Sequence, residues 1–199
     1  ISISNGIAAT LAGFKITNGS VFGNGAGIYL NTTQPVTLSA NIIYNNIATG
    51  NGGGVYVPPG GDLKLYNSVL HSNTAYNGGG VYAGGSVATM NDNTLAANRA
   101  TNNGGALYHA AGNTTVFNTI LANNTANSGA AYYHSGVGSL AFSYCDAFGN
   151  STGDSLLGGT GNIIVDPVFK APASGDYHLS IASPLINSVS SGLGTDVDY

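Results

Sequence analysis

A segment of about two dozen residues recurs along the chain, and its Gly-Gly-aliphatic-Tyr core keeps one register. The tyrosines that close this core are 27, 26, 26 and 25 residues apart. They are Tyr29, Tyr56, Tyr82, Tyr108 and Tyr133. A repeat of this length indicates a solenoid, in which each unit forms one coil and buries its apolar face against the coils beside it.

Two further columns follow the same period. One is an asparagine column: Asn46, Asn73, Asn98 and Asn124. The other is apolar and lies eight residues before an asparagine each time: Leu38, Leu65, Met90, Val116 and Phe142. Asparagine tolerates the left-handed backbone region, and its amide can bond to the coils above and below. The column therefore predicts an internal, structural asparagine ladder at a turn.

The repeat unit is built from short β-prone pieces, with no apolar periodicity of helical length. Residues 54–57, 62–66 and 68–71 have strand character, and 58–61 and Asn67 between them are turn signals. Three short strands per repeat predict an all-β fold, a right-handed parallel β-helix with three sheets and about six to seven coils. We expect coils over 1–150 and, over 151–199 where the repeat breaks, a C-terminal cap continuous with the solenoid.

Alternation along the strands predicts which residues face the interior. The aliphatic column Ile28, Val55, Val81, Leu107 and Tyr132 is expected to point inward, and a second interior column is Ile43, Leu70, Leu95 and Leu121. The neighbouring tyrosines then point outward as an aromatic stripe. That stripe has three interpretations: rings that stack on each other, a surface for a ligand or partner such as a glycan, or a ladder that is buried after all.

Composition limits the classes of function. Only 6% of the residues are charged, the net charge is −4, and the basic residues are Lys15, Lys64, Arg99 and Lys170. Nucleic-acid binding needs a basic surface, so it is excluded as an expectation. Membrane insertion is excluded likewise, because no apolar run approaches the roughly 20 residues that span a bilayer.

Catalysis is not expected, although a polysaccharide lyase or hydrolase stays open as the weaker alternative. Such enzymes need clustered carboxylates. Between residues 14 and 150 the carboxylates are Asp62, Asp92 and Asp146. Asp92 shares a column with Asn67 and Asn118, which indicates a turn position, so no catalytic residue is predicted.

No metal or cofactor is predicted either. His109 and His134 are 25 residues apart and should stack on neighbouring coils, where Val57 and Ala83 precede them in the column. A surface histidine pair is favoured over a shared transition metal. A Ca²⁺ site is a weak alternative for the C-terminal aspartates. These are Asp154, Asp166, Asp176, Asp196 and Asp198.

Several segments carry a family resemblance. Residues 13–19, 73–82 and 98–100 resemble secreted right-handed parallel β-helix proteins, including the polymorphic outer-membrane-protein repeats of bacterial adhesins. The tail motifs Ser-Tyr-Cys-Asp, Asp-Pro-Val-Phe, Gly-Asp-Tyr-His-Leu and Ser-Pro-Leu-Ile are similar to the choice-of-anchor Q domain of bacterial surface proteins. The resemblance implies an extracellular or cell-surface location and the β-helix fold, and it implies no defined activity.

The first residues favour self-association. Ile1, Ile3 and Ile7 have strand character without a polar or helical cap. Either further coils precede them, or another molecule covers this edge. The second case gives a head-to-tail contact that repeats into a filament. We therefore expect a non-enzymatic secreted or cell-surface structural protein that stacks end to end, with a carbohydrate-binding adhesin that uses the tyrosine stripe as the alternative.

Overall fold

A computed structural model describes residues 1–4, 6, 8–152 and 159–186. The expected Ile7 edge residue and three of the C-terminal aspartates, Asp154, Asp196 and Asp198, lie outside the described residues. The first strands are β1 (Ser2–Ser4), β2 (Ala9–Ala12), β3 (Lys15–Thr17), β4 (Ser20–Val21), β5 (Ile28–Asn31), β6 (Pro35–Ser39), β7 (Ile42–Tyr44), β8 (Ile47–Ala48), β9 (Val55–Val57), β10 (Asp62–Tyr66), β11 (Val69–His71) and β12 (Thr74–Ala75). They are followed by β13 (Val81–Asn91), β14 (Thr94–Ala96), β15 (Arg99–Ala100), β16 (Leu107–Phe117), β17 (Ile120–Ala122), β18 (Tyr132–His134), β19 (Ser139–Ser143), β20 (Asp146–Phe148), β21 (Phe169–Ala171), a 3-10 turn (Pro172–Ser174) and β22 (Asp176–Leu179).

The strands stack in parallel as a solenoid of about six turns, as the sequence predicts. We number the coils from the first: β1–β4, β5–β8, β9–β12, β13–β15, β16–β17 and β18–β20 form coils 1 to 6. The second sheet has the order β20-β17-β14-β11-β7-β3, and the third has the order β15-β12-β8-β4. Every strand of these sheets pairs with the strand one repeat away, which is why the sequence columns become ladders.

The first sheet is divided by a turn in some coils and continuous in others. In coils 1 to 3 a turn divides it into two strands, such as β9 and β10, and in coil 6 it is divided into β18 and β19, whereas β13 and β16 each run through this point as one strand of 11 residues. A register shift near Ala83 and Gly84 marks the irregularity where the two long strands pair. The two halves of the first sheet therefore merge into one ten-stranded sheet.

Two predicted apolar columns line the interior. Ile28, Val55, Val81 and Leu107 are fully buried, and Tyr132 continues the column as a partly buried residue packed against the core. The second column, Ile43, Leu70, Leu95 and Leu121, is also fully buried. Burial alternates along the first-sheet strands β5, β6, β9 and β10, as in β9, where Tyr56 is half-exposed between two buried valines. The tyrosine column therefore faces outward.

The asparagine ladder lies inside the turn between the second and third sheets. All four predicted asparagines are 0% exposed. Each Oδ1 accepts a hydrogen bond from the amide of the preceding asparagine, at 2.9 Å for Asn46 to Asn73, 3.0 Å for Asn73 to Asn98 and 3.2 Å for Asn98 to Asn124. Each amide also donates to a backbone carbonyl, as Asn98 does to Leu70. Asn150 extends the ladder by accepting from Asn124 at 2.9 Å.

One part of the expected reason for asparagine is wrong. The left-handed backbone belongs to the residue before each ladder asparagine, and these residues are Asn45, Ser72, Ala97 and Asn123, with φ between 53° and 55°. Alanine and serine occupy two of the four positions, so the turn does not depend on asparagine's tolerance of positive φ. The ladder selects asparagine because its amide donates twice and its carbonyl accepts twice in a dry interior.

A second polar column, which the sequence reading did not find, lines the turn between the first and second sheets. Its members are Asn41, Ser68, Asn93, Thr119 and Cys145. The side chains of Ser68, Asn93 and Thr119 each accept a hydrogen bond from the backbone N–H one coil earlier. Burial raises the pKa of the Cys145 thiol to about 12, so at neutral pH this residue is a protonated core side chain.

The segment after the last coil has two parts. Residues 159–165 add to coil 6: the backbone N–H of Cys145 donates to Asn162 Oδ1, and Ile163 and Cys145 share a backbone hydrogen bond of 2.9 Å. The antiparallel pair β21 and β22 then lies against the flank of the solenoid at coil 3. There the ring of Tyr177 lies 4.9 Å from that of His71. The chain thus returns along the outer face of the second sheet.

Replacing Asn98 by alanine tests the ladder. The change removes the acceptor of Asn73's amide and backbone N–H and the donor to Leu70, and each buried group left without a partner costs about 1–3 kcal/mol. We expect the free energy of unfolding, measured by urea denaturation, to fall by at least about 3 kcal/mol. Asn113→Ala, at an exposed position of the same chain, is the matched control and should change it by less than about 0.5 kcal/mol. Equal effects of the two variants would contradict the ladder's structural role.

Candidate functional site

The tyrosine column forms a continuous stack of rings on the outer face of the first sheet. Successive ring centroids from Tyr29 to Tyr133 are separated by 5.1, 5.4, 4.9 and 5.1 Å, and their planes differ by 12° to 19°. The strand pairing places the rings directly above one another, for example Tyr82 beside Tyr56 and Tyr108. This is the geometry of the self-stacking interpretation.

Stacking decides which surface the tyrosines offer. The three inner rings, Tyr56, Tyr82 and Tyr108, have a neighbouring ring against each face, so their faces are not open to a sugar or another flat ligand. What remains exposed along the stack is a row of ring edges and phenol hydroxyls. The expected ligand surface at Tyr29, Tyr56, Tyr82, Tyr108 and Tyr133 is therefore a row of hydrogen-bonding groups and not a row of stacking platforms.

The stack also changes the acidity of its inner members. Burial raises the pKa of Tyr56, Tyr82 and Tyr108, and repulsion from a neighbouring phenolate raises it further. A second ionised phenol about one rung away would be repelled at short range in partly excluded solvent. At neutral pH the hydroxyls of these three inner tyrosines are therefore uncharged donors and acceptors.

The histidines that follow the last two tyrosines lie on adjacent coils, as predicted, but the expected surface pair is wrong for His109. His109 is 0% exposed, and His134 is half-buried. Alternation explains the difference, since a residue that follows an outward tyrosine points inward, as Val57 and Ala83 do in earlier coils. The two Nδ1 atoms are 2.8 Å apart.

Burial lowers the pKa of His109, and the charge of a protonated His134 lowers it further, with the Gly112 backbone acting in the opposite direction. His109 is thus held in its uncharged form more strongly than a histidine in water. Burial also lowers the pKa of His71, which lies between Tyr44 and Tyr177 on the outer face of the second sheet.

Most carboxylates of the described residues are engaged in local hydrogen bonds. Asp92 accepts from Asn118, and its φ of 58° confirms the turn position predicted from the column. Asp146 and Asp166 accept backbone N–H groups of Val165 and Val168, and Asp176 bonds with His178. Within the described residues no group of three or more His, Cys, Asp or Glu side chains could hold a metal ion.

The predicted assembly edge is the outer side of coil 1. Strands β1, β2, β3 and β4 each pair with a strand of coil 2 only. Ile3 points inward beside Leu30 and is partly buried, and Ile1 is 53% exposed. The described part of the chain thus presents unpaired backbone groups and apolar side chains together at this edge.

A second aromatic column, absent from the sequence analysis, lies beside the outer face of the third sheet. Extending the pairing by one residue places Phe22 beside Thr49 and Tyr76 beside Thr101, on coils 1 to 4. Between coils 2 and 3 the register changes by one residue, and the backbone N–H of Tyr76 bonds to the carbonyl of Gly50. All four side chains are exposed, Phe22 at 98% and Tyr76 at 51%, and neither ring is stacked on another ring of the described residues. The third-sheet strands have only two residues, which gave the sequence too little alternation to reveal the column.

The fold and these ladders define a parallel β-solenoid. Residues 1–168 match the family described as right handed beta helix region, so the chain belongs to this family. No curated protein and no solved structure matches the chain significantly. Within the described residues, no helix has the length and apolar character needed to cross a membrane.

The tyrosine stack predicts a loss of stability at alkaline pH. A pKa raised on folding favours the protonated phenol, so this stability is full below the unfolded pKa of about 10 and is lost as pH rises through the folded value. Tyr82→Phe keeps the ring and removes the ionisable hydroxyl, so it should lose less unfolding free energy between about pH 8 and about pH 11 than the wild type. Tyr76→Phe, outside the stack, is the control, and equal losses in both variants would disprove the coupling. Urea denaturation at the two pH values measures the effect.

Proposed function

We propose that the chain is a non-enzymatic structural protein of a secreted or cell-surface assembly, in which the solenoid acts as a rigid rod. One observation carries this proposal. The residues that repeat most strictly, the asparagine and tyrosine columns, are used for bonding and stacking between coils. A repeat selected for coil-to-coil contact is what a rod requires.

The proposal includes end-to-end stacking of the rods. Strands β1–β4 offer unpaired backbone groups at this edge, and Ile3 and Leu11 are only partly buried there. The far end, at residues 159–165, carries Ile164 with 56% of its surface exposed. A second copy that adds its far end at the β1–β4 edge would bury these apolar side chains and continue the sheets, and the contact repeats without closing.

Lysine at an inward position of coil 1 tests this contact. Ile3→Lys places a charge among the apolar side chains that the second copy would cover, whereas Ser2→Lys places it on the outward face of the same strand. We expect the sedimentation coefficient of the wild type to rise with concentration and its negatively stained images to show lengthened rods. Ile3→Lys should weaken association at least tenfold, and Ser2→Lys much less. Monomers at every concentration, or equal effects of the two lysines, would count against stacking.

Glycan binding is a second candidate, and the alternating column at the third sheet is the observation that favours it. Phe22 and Tyr76 are two rungs apart, or about 9.6 Å, since neighbouring strands are about 4.8 Å apart. Two sugar units of an extended β-1,4-linked chain span a similar distance, so alternate sugars can stack on the two rings. Thr49 and Thr101 lie between and beside the rings with hydroxyl groups. A surface with so few charges suits a neutral polysaccharide.

Binding to insoluble cellulose and chitin tests this second candidate. We expect the double variant Phe22→Ala/Tyr76→Ala to bind at least tenfold more weakly than the wild type in a pull-down series. Tyr133→Phe, which removes a hydroxyl from the tyrosine stack, is the control and should bind normally. If Tyr133→Phe lost binding while the double variant kept it, the tyrosine stack would be the glycan surface instead. Absence of binding by the wild type would remove both glycan surfaces for these polymers.

A further inference from the structure

The imidazole rings of His109 and His134 approach each other through their Nδ1 atoms. Their centroids are 4.9 Å apart with planes tilted by 32°, and the two Nδ1 atoms lie 2.8 Å from each other. The strand pairing of β16 with β18 fixes this arrangement, because His109 and His134 are direct partners in the ladder. Two nitrogen donors are thus held at one point of the solenoid wall, between coils 5 and 6.

The separation of the nitrogens matches one coordination geometry better than another. Imidazole nitrogens bind divalent transition metals at about 2.0 Å. Two such nitrogens at right angles around the metal are therefore about 2.8 Å apart, whereas tetrahedral ligands are about 3.3 Å apart. Right-angled positions occur in octahedral, square-planar and tetragonal coordination, and the last two with nitrogen ligands are typical of Cu(II) and Ni(II). The tetrahedral geometry that Zn(II) prefers fits this pair less well.

Protonation also favours a metal ligand role. Metal binding requires imidazole nitrogens that are free of a proton. A hydrogen bond between the two Nδ1 atoms requires that one of them carries a proton and the other accepts it. When a metal binds, this proton moves to Nε2 of its own ring, so both rings stay neutral and no second proton has to be removed.

The surroundings of His109 give an independent indication of a polar site in the wall. His109 and Thr114 are both 0% exposed, and Nε2 of the first and Oγ1 of the second have no hydrogen-bond partner. At the same two positions on coil 4, the chain has Ala83 and Ala88. His109 and Thr114 thus add polar atoms to the inward side of β16, at positions where coil 4 has only alanines.

From these observations we propose that His109 and His134 form a binding site for a divalent transition metal, with Cu(II) or Ni(II) preferred over Zn(II). The two Nδ1 atoms supply two neighbouring ligand positions. Solvent supplies the others through the partly exposed side of His134, next to the turn at residues 135–138. The site is independent of the structural and glycan-binding roles proposed above, because it lies inside the wall and uses none of their side chains.

Calorimetric titration with CuCl2, NiCl2 and ZnCl2 tests the site on the intact chain at neutral pH. We expect one Cu(II) per chain, bound at least tenfold more tightly than Zn(II). Electron paramagnetic resonance of the Cu(II) form should show coupling to two equivalent nitrogen donors. His109→Val introduces the residue that the chain has at the same position of coil 3, Val57. His134→Val, at a partly exposed position, is a second variant in case the first fails to fold.

Each valine variant should reduce Cu(II) affinity at least tenfold and remove the two-nitrogen signal, with an unchanged circular dichroism spectrum. His178→Ala is the control, because His178 is exposed and bonds with Asp176 away from the pair. It should leave both the affinity and the signal unchanged. Wild-type affinity in His134→Val, loss of binding in His178→Ala, or tighter binding of Zn(II) than of Cu(II) would overturn the proposal.

Discussion

The polar side chains that line two of the turns of this solenoid find hydrogen-bond partners on the neighbouring coils. The chain has a narrow interior, and the turns bring backbone N–H and C=O groups into it three times per coil. Asparagine at one turn and serine, threonine or asparagine at another satisfy these groups across successive coils. Because each bond joins residues about 26 positions apart, the repeat length and the bonding pattern depend on each other. The stacking of the tyrosines follows from the same register.

Much of this fold follows from the sequence because the columns are strict. The solenoid, the inward aliphatic residues and the asparagine ladder could all be predicted from period and alternation alone. The second polar turn was missed because its members differ in type: Ser68, Asn93 and Thr119 accept the same kind of bond with three different side chains. The course of residues 169–179 along the flank at His71 could not be predicted, since a single contact between distant, non-repeating residues leaves no periodic signal.

The candidate sites show the same limits. His109 could have been assigned to the interior by carrying the alternation one residue beyond Tyr108, a step that the conspicuous tyrosines obscured. Phe22 and Tyr76 recur only at every second coil and sit beside strands of two residues. The two aromatic columns therefore differ in the spacing of their rings. Rings on successive coils cover each other's faces, whereas rings on alternate coils leave them free for a ligand.

The return of β21 and β22 to coil 3 has a mechanical consequence. A plain solenoid pulled at its last coil can release one rung after another, because each rung is held only by its neighbours. Here Tyr177 belongs to the β21–β22 pair that follows coil 6, which we call the strap. Its ring packs on His71, and its hydroxyl lies within hydrogen-bonding distance of Ser72. We expect tension applied beyond the strap to reach coil 3 through this contact. The hydrogen bonds between coils 3 and 6 are then loaded together, in shear. The strap makes a rod that resists peeling from one end.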